Sequence, residues 1–173
     1  MPSNIEFKSR LQDLAFAHAT ARRLSGAPPE ILHQTDVFFR CPQGRLKLRM
    51  FADGTGELIQ YDRADSPNAR RSDYKIARTP DAEVLLEILQ QMLASVGTVN
   101  KTRSVYLVGQ TRIHIDQVEK LGNFLEIEVV LKPGQSESDG RQIADCLMRE
   151  FGITPDQLMS EAYVDLLNRL VTI

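Results

Sequence analysis

The chain has no tryptophan and only two cysteines, Cys41 and Cys146, among its 173 residues. The two thiols lie far apart with no CxxC spacing, which argues against a zinc site or a disulfide framework and fits reduced thiols in a cytoplasmic protein. No apolar run approaches the roughly 20 residues that cross a bilayer. The opening Met1-Pro2-Ser3-Asn4-Ile5-Glu6 lacks the basic patch and apolar stretch of a secretory signal. Neither charge sign dominates: 21 basic and 23 acidic residues leave a net charge of −2. That removes a broadly basic nucleic-acid-binding surface as the default. Internal repeats and low-complexity tracts are also absent. What remains is a chain of ordinary composition, 42% hydrophobic and 25% charged, long enough for one packed domain spanning residues 1–173. No membrane or nucleic-acid partner is expected, and a homodimer stays open.

Glycine and proline divide the chain into periodic segments at Gly26-Ala27-Pro28-Pro29, Cys41-Pro42-Gln43-Gly44, Asp53-Gly54-Thr55-Gly56, Ser66-Pro67-Asn68 and Lys132-Pro133-Gly134. The polar stretch from Ala64 to Arg71 reads as a mobile loop. Helical spacing of apolar residues predicts helices over Leu11–Leu24, from Pro80-Asp81 to a stop at Gly97 (Val84, Leu85, Ile88, Leu89, Met92, Leu93, Val96), over Ser138–Phe151 and over Glu161–Leu170. The other segments read as strands: Asn4–Arg10, Glu30–Arg40, Arg45–Phe51, Glu57–Arg63, Ser72–Arg78, Thr98–Gln110, Thr111–Asp116 and Phe124–Leu131. Asp53-Gly54 suggests a hairpin, and the short links argue for antiparallel pairing.

The polar positions of these strands are unusually charged and carry both signs. Asn4, Glu6 and Lys8 alternate with Ile5 and Phe7. Lys47 and Arg49 alternate with Leu46, Leu48 and Met50. Arg112, His114 and Asp116 alternate with Ile113 and Ile115, and Glu126 and Glu128 with Leu125, Ile127 and Val129. Two arrangements fit. An open sheet would pack its apolar face on the helices and show the charges to water. A sheet closed on itself would turn the apolar faces outward under the helices and the charges into a lumen. Pattern alone favours the open sheet, because charged side chains on strand faces are usually solvated. Like charges on one strand face, such as Glu126 with Glu128 or Lys47 with Arg49, nevertheless repel unless something neutralises them. A multivalent anion would do so for the bases, and a divalent cation for the acids.

These residues resemble the CYTH superfamily, which unites class IV adenylyl cyclases, thiamine triphosphatases and inorganic triphosphatases. Its ExExK hallmark reads here as Asn4-Ile5-Glu6-Phe7-Lys8. The likeness continues, in order, through Gln34-Thr35-Asp36-Val37-Phe38-Phe39, Leu46-Lys47-Leu48-Arg49, Leu58-Ile59-Gln60-Tyr61-Asp62-Arg63, Lys101-Thr102-Arg103-Ser104-Val105-Tyr106 and His114-Ile115-Asp116-Gln117-Val118. It closes on Leu121-Gly122-Asn123-Phe124-Leu125-Glu126-Ile127-Glu128. The resemblance implies an α+β fold: a closed eight-stranded antiparallel barrel, the triphosphate tunnel, with flanking helices. It also implies a metal-dependent enzyme, either adenylyl cyclase-like or a triphosphatase acting on an organic or inorganic triphosphate. Asn4 departs from the motif, offering a carbonyl oxygen where a carboxylate stands. That departure supports the alternative of a catalytically weak nucleotide- or polyphosphate-binding module.

Lys8, Lys47, Arg49, Arg63, Lys75, Lys101, Arg103 and Arg112 are the expected triphosphate ligands, since a polyanion needs several cationic donors converging from different strands. Lys75 has the least clear parity. Glu6, Glu126 and Glu128, with Asp116 next, are the expected ligands of Mg2+ or Mn2+, hard cations that take carboxylate oxygens. No catalytic side chain is assigned, because phosphoryl chemistry rests on positioning and charge stabilisation. His114 is expected to be a hydrogen-bonded structural histidine rather than a general base. Asp36 is expected to order a strand end, and Tyr163 to close one end of the barrel.

Overall fold

The computed structural model describes residues 3–63 and 70–171, apart from the side chains of Arg63 and Arg70. Most of the Ala64–Arg71 stretch therefore lies outside the described residues. Eight strands are present among them: β1 (Ser3–Arg10), β2 (Glu30–Phe39), β3 (Arg45–Phe51), β4 (Gly56–Arg63), β5 (Arg70–Thr79), β6 (Ser95–Val108), β7 (Thr111–Val118) and β8 (Gly122–Val130). Every neighbouring pair is antiparallel, in the order β1-β5-β4-β3-β2-β6-β7-β8, and β1 pairs with both β5 and β8. The sheet therefore closes, and strand parity has two physical sides, a lumen and an outer wall. The closed arrangement, implied by the family resemblance, is the one adopted.

Four helices cover the outer wall. In α1 (Leu14–Ser25), Asp13 caps the first turn by accepting from the Phe16 amide at 2.8 Å. In α3 (Glu137–Glu150), Ser136 and Asp139 form a reciprocal capping box. These two helices pack over Ile5, Phe7, Ile113, Ile115, Leu125, Ile127 and Val129, all at most 2% exposed. α2 (Ala82–Met92) lays Leu85, Leu86 and Leu89 over Val37, Phe39 and Leu48. α4 (Tyr163–Val171) works differently. With Ala162 it sets Tyr163 and Val164 among Phe38, Val99, Val118 and Phe124 and so closes one end of the barrel. Arg45 donates to Asp165 at 2.8 Å and Asn168 donates to the Val96 carbonyl at 3.2 Å, fixing that plug. No helix among the described residues is long and apolar enough to cross a membrane.

The helix expected to run to Gly97 ends at Met92 instead. Ala94 accepts from the Arg40 amide at 2.9 Å, and Ser95 pairs with Phe39, so β2 draws this segment into β6. Val96, on the expected helical stripe, is a strand residue. Helical spacing cannot register a long-range pairing that competes for the same backbone groups.

At Gly56, a Cβ would sit 2.7 Å from the Arg49 carbonyl oxygen and 2.8 Å from the Ala82 Cβ. Ala82 also donates its amide to the Gly54 carbonyl at 3.0 Å, so this close approach docks α2 on the β3–β4 hairpin. Gly56→Ala is therefore expected to destabilise the protein by about 1–3 kcal/mol. In urea denaturation this should appear as a lower midpoint with an unchanged slope.

Candidate functional site

The lumen is where an apolar core would be expected, and it is ionic. A cavity of about 420 Å3 is lined by Asn4, Glu6 and Lys8 from β1, Gln34 and Asp36 from β2, Lys47 and Arg49 from β3, Lys101 and Arg103 from β6, Arg112 and His114 from β7, and Glu126 and Glu128 from β8. Lys8, Lys101, Arg103 and Glu6 are each no more than 6% exposed. Charges so deeply buried persist only when paired.

Asp36 is the hub of one wall. Arg49 donates to it through Nε (2.8 Å, to Oδ1) and Nη2 (3.0 Å, to Oδ2), Lys47 through Nζ at 3.0 Å, and Lys101 through Nζ at 2.7 Å. Burial opposes its charge, yet Arg49, Lys101 and Lys47 together hold its carboxyl well below the usual carboxylate range. Three cations on one carboxylate leave an excess of positive charge facing the cavity. Lys101 feels it most. Burial, followed by Arg49, Arg103 and Lys47 against the single attraction of Asp36, lowers its pKa to about 7.

The opposite wall carries the carboxylates. Arg103 spans Asp116 (Nε to Oδ1, 2.7 Å; Nη2 to Oδ2, 2.6 Å) and Glu126 (2.7 Å). Arg112 donates to Glu128 at 2.9 Å. The register sets Glu6 directly opposite Glu128, and Lys8 opposite Glu126. The Lys8 ammonium lies 4.1 Å above the Tyr163 ring, whose hydroxyl donates to Asp116 at 2.9 Å. His114, Glu126 and Glu128 bring ligand atoms within 4.8 Å of one another, a group able to hold a metal ion. The buried atoms Asn4 Oδ1 and His114 Nδ1 have no hydrogen-bond partner, so the donor set offers a divalent cation mixed oxygen and nitrogen ligands.

Of the expected anion ligands, Lys8, Lys47, Arg49, Lys101, Arg103 and Arg112 share this cavity. Lys75 does not join them: its neighbours Tyr74 and Ile76 take the lumen parity, which leaves Lys75 exposed on the outer wall. The backbone of Arg63 ends β4, and its side chain lies outside the described residues. Of the expected metal ligands, Glu6, Glu126 and Glu128 reach the cavity, whereas both oxygens of the fully buried Asp116 are taken by Arg103 and Tyr163. His114 differs from a hydrogen-bonded structural histidine, since its Nδ1 has no partner. Burial and then Arg103 lower its pKa to about 4, so it is a neutral imidazole at pH 7.

Sequence reasoning missed two features. One is the role of Asp36, which needs the β2–β3 register that sets it against Arg49. The other is an apolar collar. Leu32, Phe51, Ile76, Val105 and Leu107 line the same cavity, and the exposure of Ile76 (46%) and Leu107 (64%) puts them at its solvent end. In the sequence these five look like ordinary strand hydrophobes.

Asp36→Asn is expected to lower stability by about 3 kcal/mol, since it strands three buried cations. Added tripolyphosphate should recover much of the loss in thermal melts, because a polyanion replaces the missing charge. Lys101 carries a separate signature. Its folded pKa of about 7 lies below that of a free lysine, so between pH 7 and about 10 the unfolded chain holds the extra proton and this lysine's contribution to stability rises with pH. A bound polyanion favours the ammonium form. Tripolyphosphate binding at pH 8 should therefore take up protons, and calorimetry in buffers of different ionisation enthalpy should show Lys101→Met losing that uptake.

Comparison with known proteins agrees with this geometry. Residues 3–163 match the CYTH domain family. Adenylate cyclase CyaB of Aeromonas hydrophila is 26% identical over 98% of this chain and 91% of its own length. In structure, the PH1012 protein of Pyrococcus horikoshii OT3 superposes with a TM-score of 0.83 at 24% identity, covering 94% of this chain and 98% of its own. A conserved hypothetical protein of Pyrococcus furiosus does so with a TM-score of 0.81 at 20% identity, covering 94% and 99%.

Proposed function

The chain belongs to the CYTH family, and from that premise we propose that its lumen binds a nucleoside triphosphate and acts on it as an adenylyl cyclase does, converting ATP to cyclic AMP and pyrophosphate. The observation that carries this reading is one cavity with an ionic interior and, toward its open end, five apolar side chains set beside Glu30, Glu57 and Arg78. The interior suits a triphosphate. The collar of Leu32, Phe51, Ile76, Val105 and Leu107 would have nothing to bind if the substrate were inorganic, and it suits the flat, weakly hydrated face of a nucleobase. The likeness to the Aeromonas adenylate cyclase supports the same choice.

The roles follow from the walls. Asp36 prealigns Lys47, Arg49 and Lys101, so their orientation is set before the polyanion arrives. Arg103, locked between Asp116 and Glu126, and Arg112, held by Glu128, are donors whose positive charge bridges to the acidic wall. Lys8 is steered by the Tyr163 ring below it. Glu126, Glu128 and Glu6 are the residues to hold a divalent cation, Mg2+ or Mn2+. When bound, that cation supplies charge neutralisation at the phosphoryl oxygens. The plug of Phe38, Phe124 and Tyr163 excludes water at the closed end. In cyclisation the ribose 3′-hydroxyl attacks the α-phosphorus and pyrophosphate leaves. In hydrolysis water attacks the terminal phosphorus. The base, held in the collar, is what would bring the ribose hydroxyl rather than water to the reacting phosphorus.

Incubation with ATP and Mg2+ or Mn2+ is expected to yield cyclic AMP and pyrophosphate. Phe51→Ala should raise the KM for ATP about tenfold while leaving the affinity for tripolyphosphate within about twofold. ADP and phosphate as the products would make the protein a triphosphatase. Ligand-dependent thermal stabilisation without any product would make it a binding module.

A further inference from the structure

We propose that His114 is a nitrogen ligand of the divalent cation and that it shifts the site's preference from magnesium toward transition-metal ions. This rests on the reading that the acidic wall holds a cation, and it concerns which ion that wall selects.

The geometry starts from register. His114 on β7 faces Glu126 across the ladder to β8, and Glu128 is the next lumen residue along that strand. The three side chains place ligand atoms within 4.8 Å of one another, on one patch of wall. The imidazole's Nδ1 has no hydrogen-bond partner. On its other side, β6 presents Val105, which offers no polar group. Its Nδ1 lies 3.9 Å from Glu128 Oε1, beyond hydrogen-bonding distance. His114 is 4% exposed and Nδ1 makes no hydrogen bond. A buried, unpartnered nitrogen in a cavity beside two carboxylates, in the tautomer that leaves Nδ1 bare, offers its lone pair to a Lewis acid.

The chemistry of the donors then sets the preference. Magnesium demands oxygen ligands in a near-ideal octahedron, whereas imidazole suits zinc, copper, iron and nickel; manganese favours oxygen but accepts an imidazole nitrogen beside it. Asn4 contributes a neutral carbonyl oxygen to the same lumen, also unpartnered, which supplies a hard donor without the charge of a carboxylate. Fewer hard anionic oxygens and one nitrogen move the balance away from magnesium. Asp116, by contrast, is committed to Arg103 and Tyr163 and is not available to restore the missing charge.

Manganese is the probe, because its bound nitrogen can be read directly. The full chain loaded with Mn2+ should show a histidine nitrogen coupling in pulsed electron paramagnetic resonance, and the coupling should change when histidine is 15N-labelled. The chain has three histidines. The signal should persist in His18→Gln and His33→Gln and vanish in His114→Asn. By titration, His114→Asn should lower the affinity for Ni2+ about tenfold relative to that for Mg2+. Should His114→Asn fail to fold, the labelled wild-type chain with the His18 and His33 variants still decides the matter. An oxygen-only signal from Mn2+ that is displaced by Glu128→Gln would overturn the role of His114 and leave the cation site standing. A nitrogen signal that survives His114→Asn would overturn it as well. No saturable Mn2+ binding, with or without tripolyphosphate, would remove both this proposal and the metal reading beneath it.

Discussion

β1 is hydrogen-bonded along both of its edges, to β5 and to β8, and that double pairing governs the rest of the molecule. It joins the two ends of the sheet. Once they are joined, each strand has one parity facing the lumen and one facing the outer wall, and on β1, β3, β7 and β8 the charged parity is the inner one. Ile5 and Phe7 go under α3 while Asn4, Glu6 and Lys8, their chain neighbours, go into the lumen. An open sheet of the same sequence could have left those charges in water at little cost. Closure desolvates them and thereby obliges every one to find a counter-charge. The ion pairs of the lumen are in this sense a consequence of topology.

That obligation is met unevenly, and the unevenness is the useful part. On one wall a single carboxylate, Asp36, serves Lys47, Arg49 and Lys101. On the other, Glu6, Asp116, Glu126 and Glu128 outnumber the arginines threaded among them. The lumen is therefore a cavity with a mainly basic wall facing a mainly acidic one. A polyphosphate alone would satisfy the first wall and burden the second, and a cation alone would do the reverse. A cation–polyphosphate complex would answer both walls together. Lys101 feels the same imbalance: burial first, and then Arg49, Arg103 and Lys47 against Asp36, lower its pKa to about 7, so a further anion would favour its ammonium form.

Much of this could be read from the chain, and the parts that could not share one cause. Strand alternation marked the faces bearing Lys47, Arg49, Glu126 and Glu128, and the ordered motifs from Asn4 to Glu128 implied the barrel. Alternation identifies a face; it does not say what lies across from it. Asp36 was visible as a polar residue in a strand, yet its grip on three cations depends on β3 and β6 flanking β2. Lys75 had the right chemistry but sits one residue out of phase with the lumen. Asp116 had the right face, but its oxygens were already taken by partners 13 and 47 positions away. The collar was hidden for a different reason: Leu32 and Val105 are unremarkable strand hydrophobes until closure places them on the charged side of the wall. The end of α2 was misplaced because the pairing of Ser95 with Phe39 outcompetes a helical stripe.

A protein whose interior is its binding site must obtain its stability elsewhere. Here it comes from the outer wall, where α1, α2 and α3 bury the apolar parity of the strands in clusters separate from the lumen. This separates two functions that most small domains combine. Hydrophobic burial outside fixes the strand register, and register fixes the spacing of the ionic groups inside to within a residue, because a slip of one position would turn every lumen charge outward. The packed exterior can therefore hold like charges such as Lys47 and Arg49 closer together than they would settle unaided. Asp36, bonded to both, offsets much of that repulsion, so rigid register and a shared counter-charge together keep the two cations in place. On this account binding strength depends on how rigidly the greasy outer shell resists relaxation of the charged inner one.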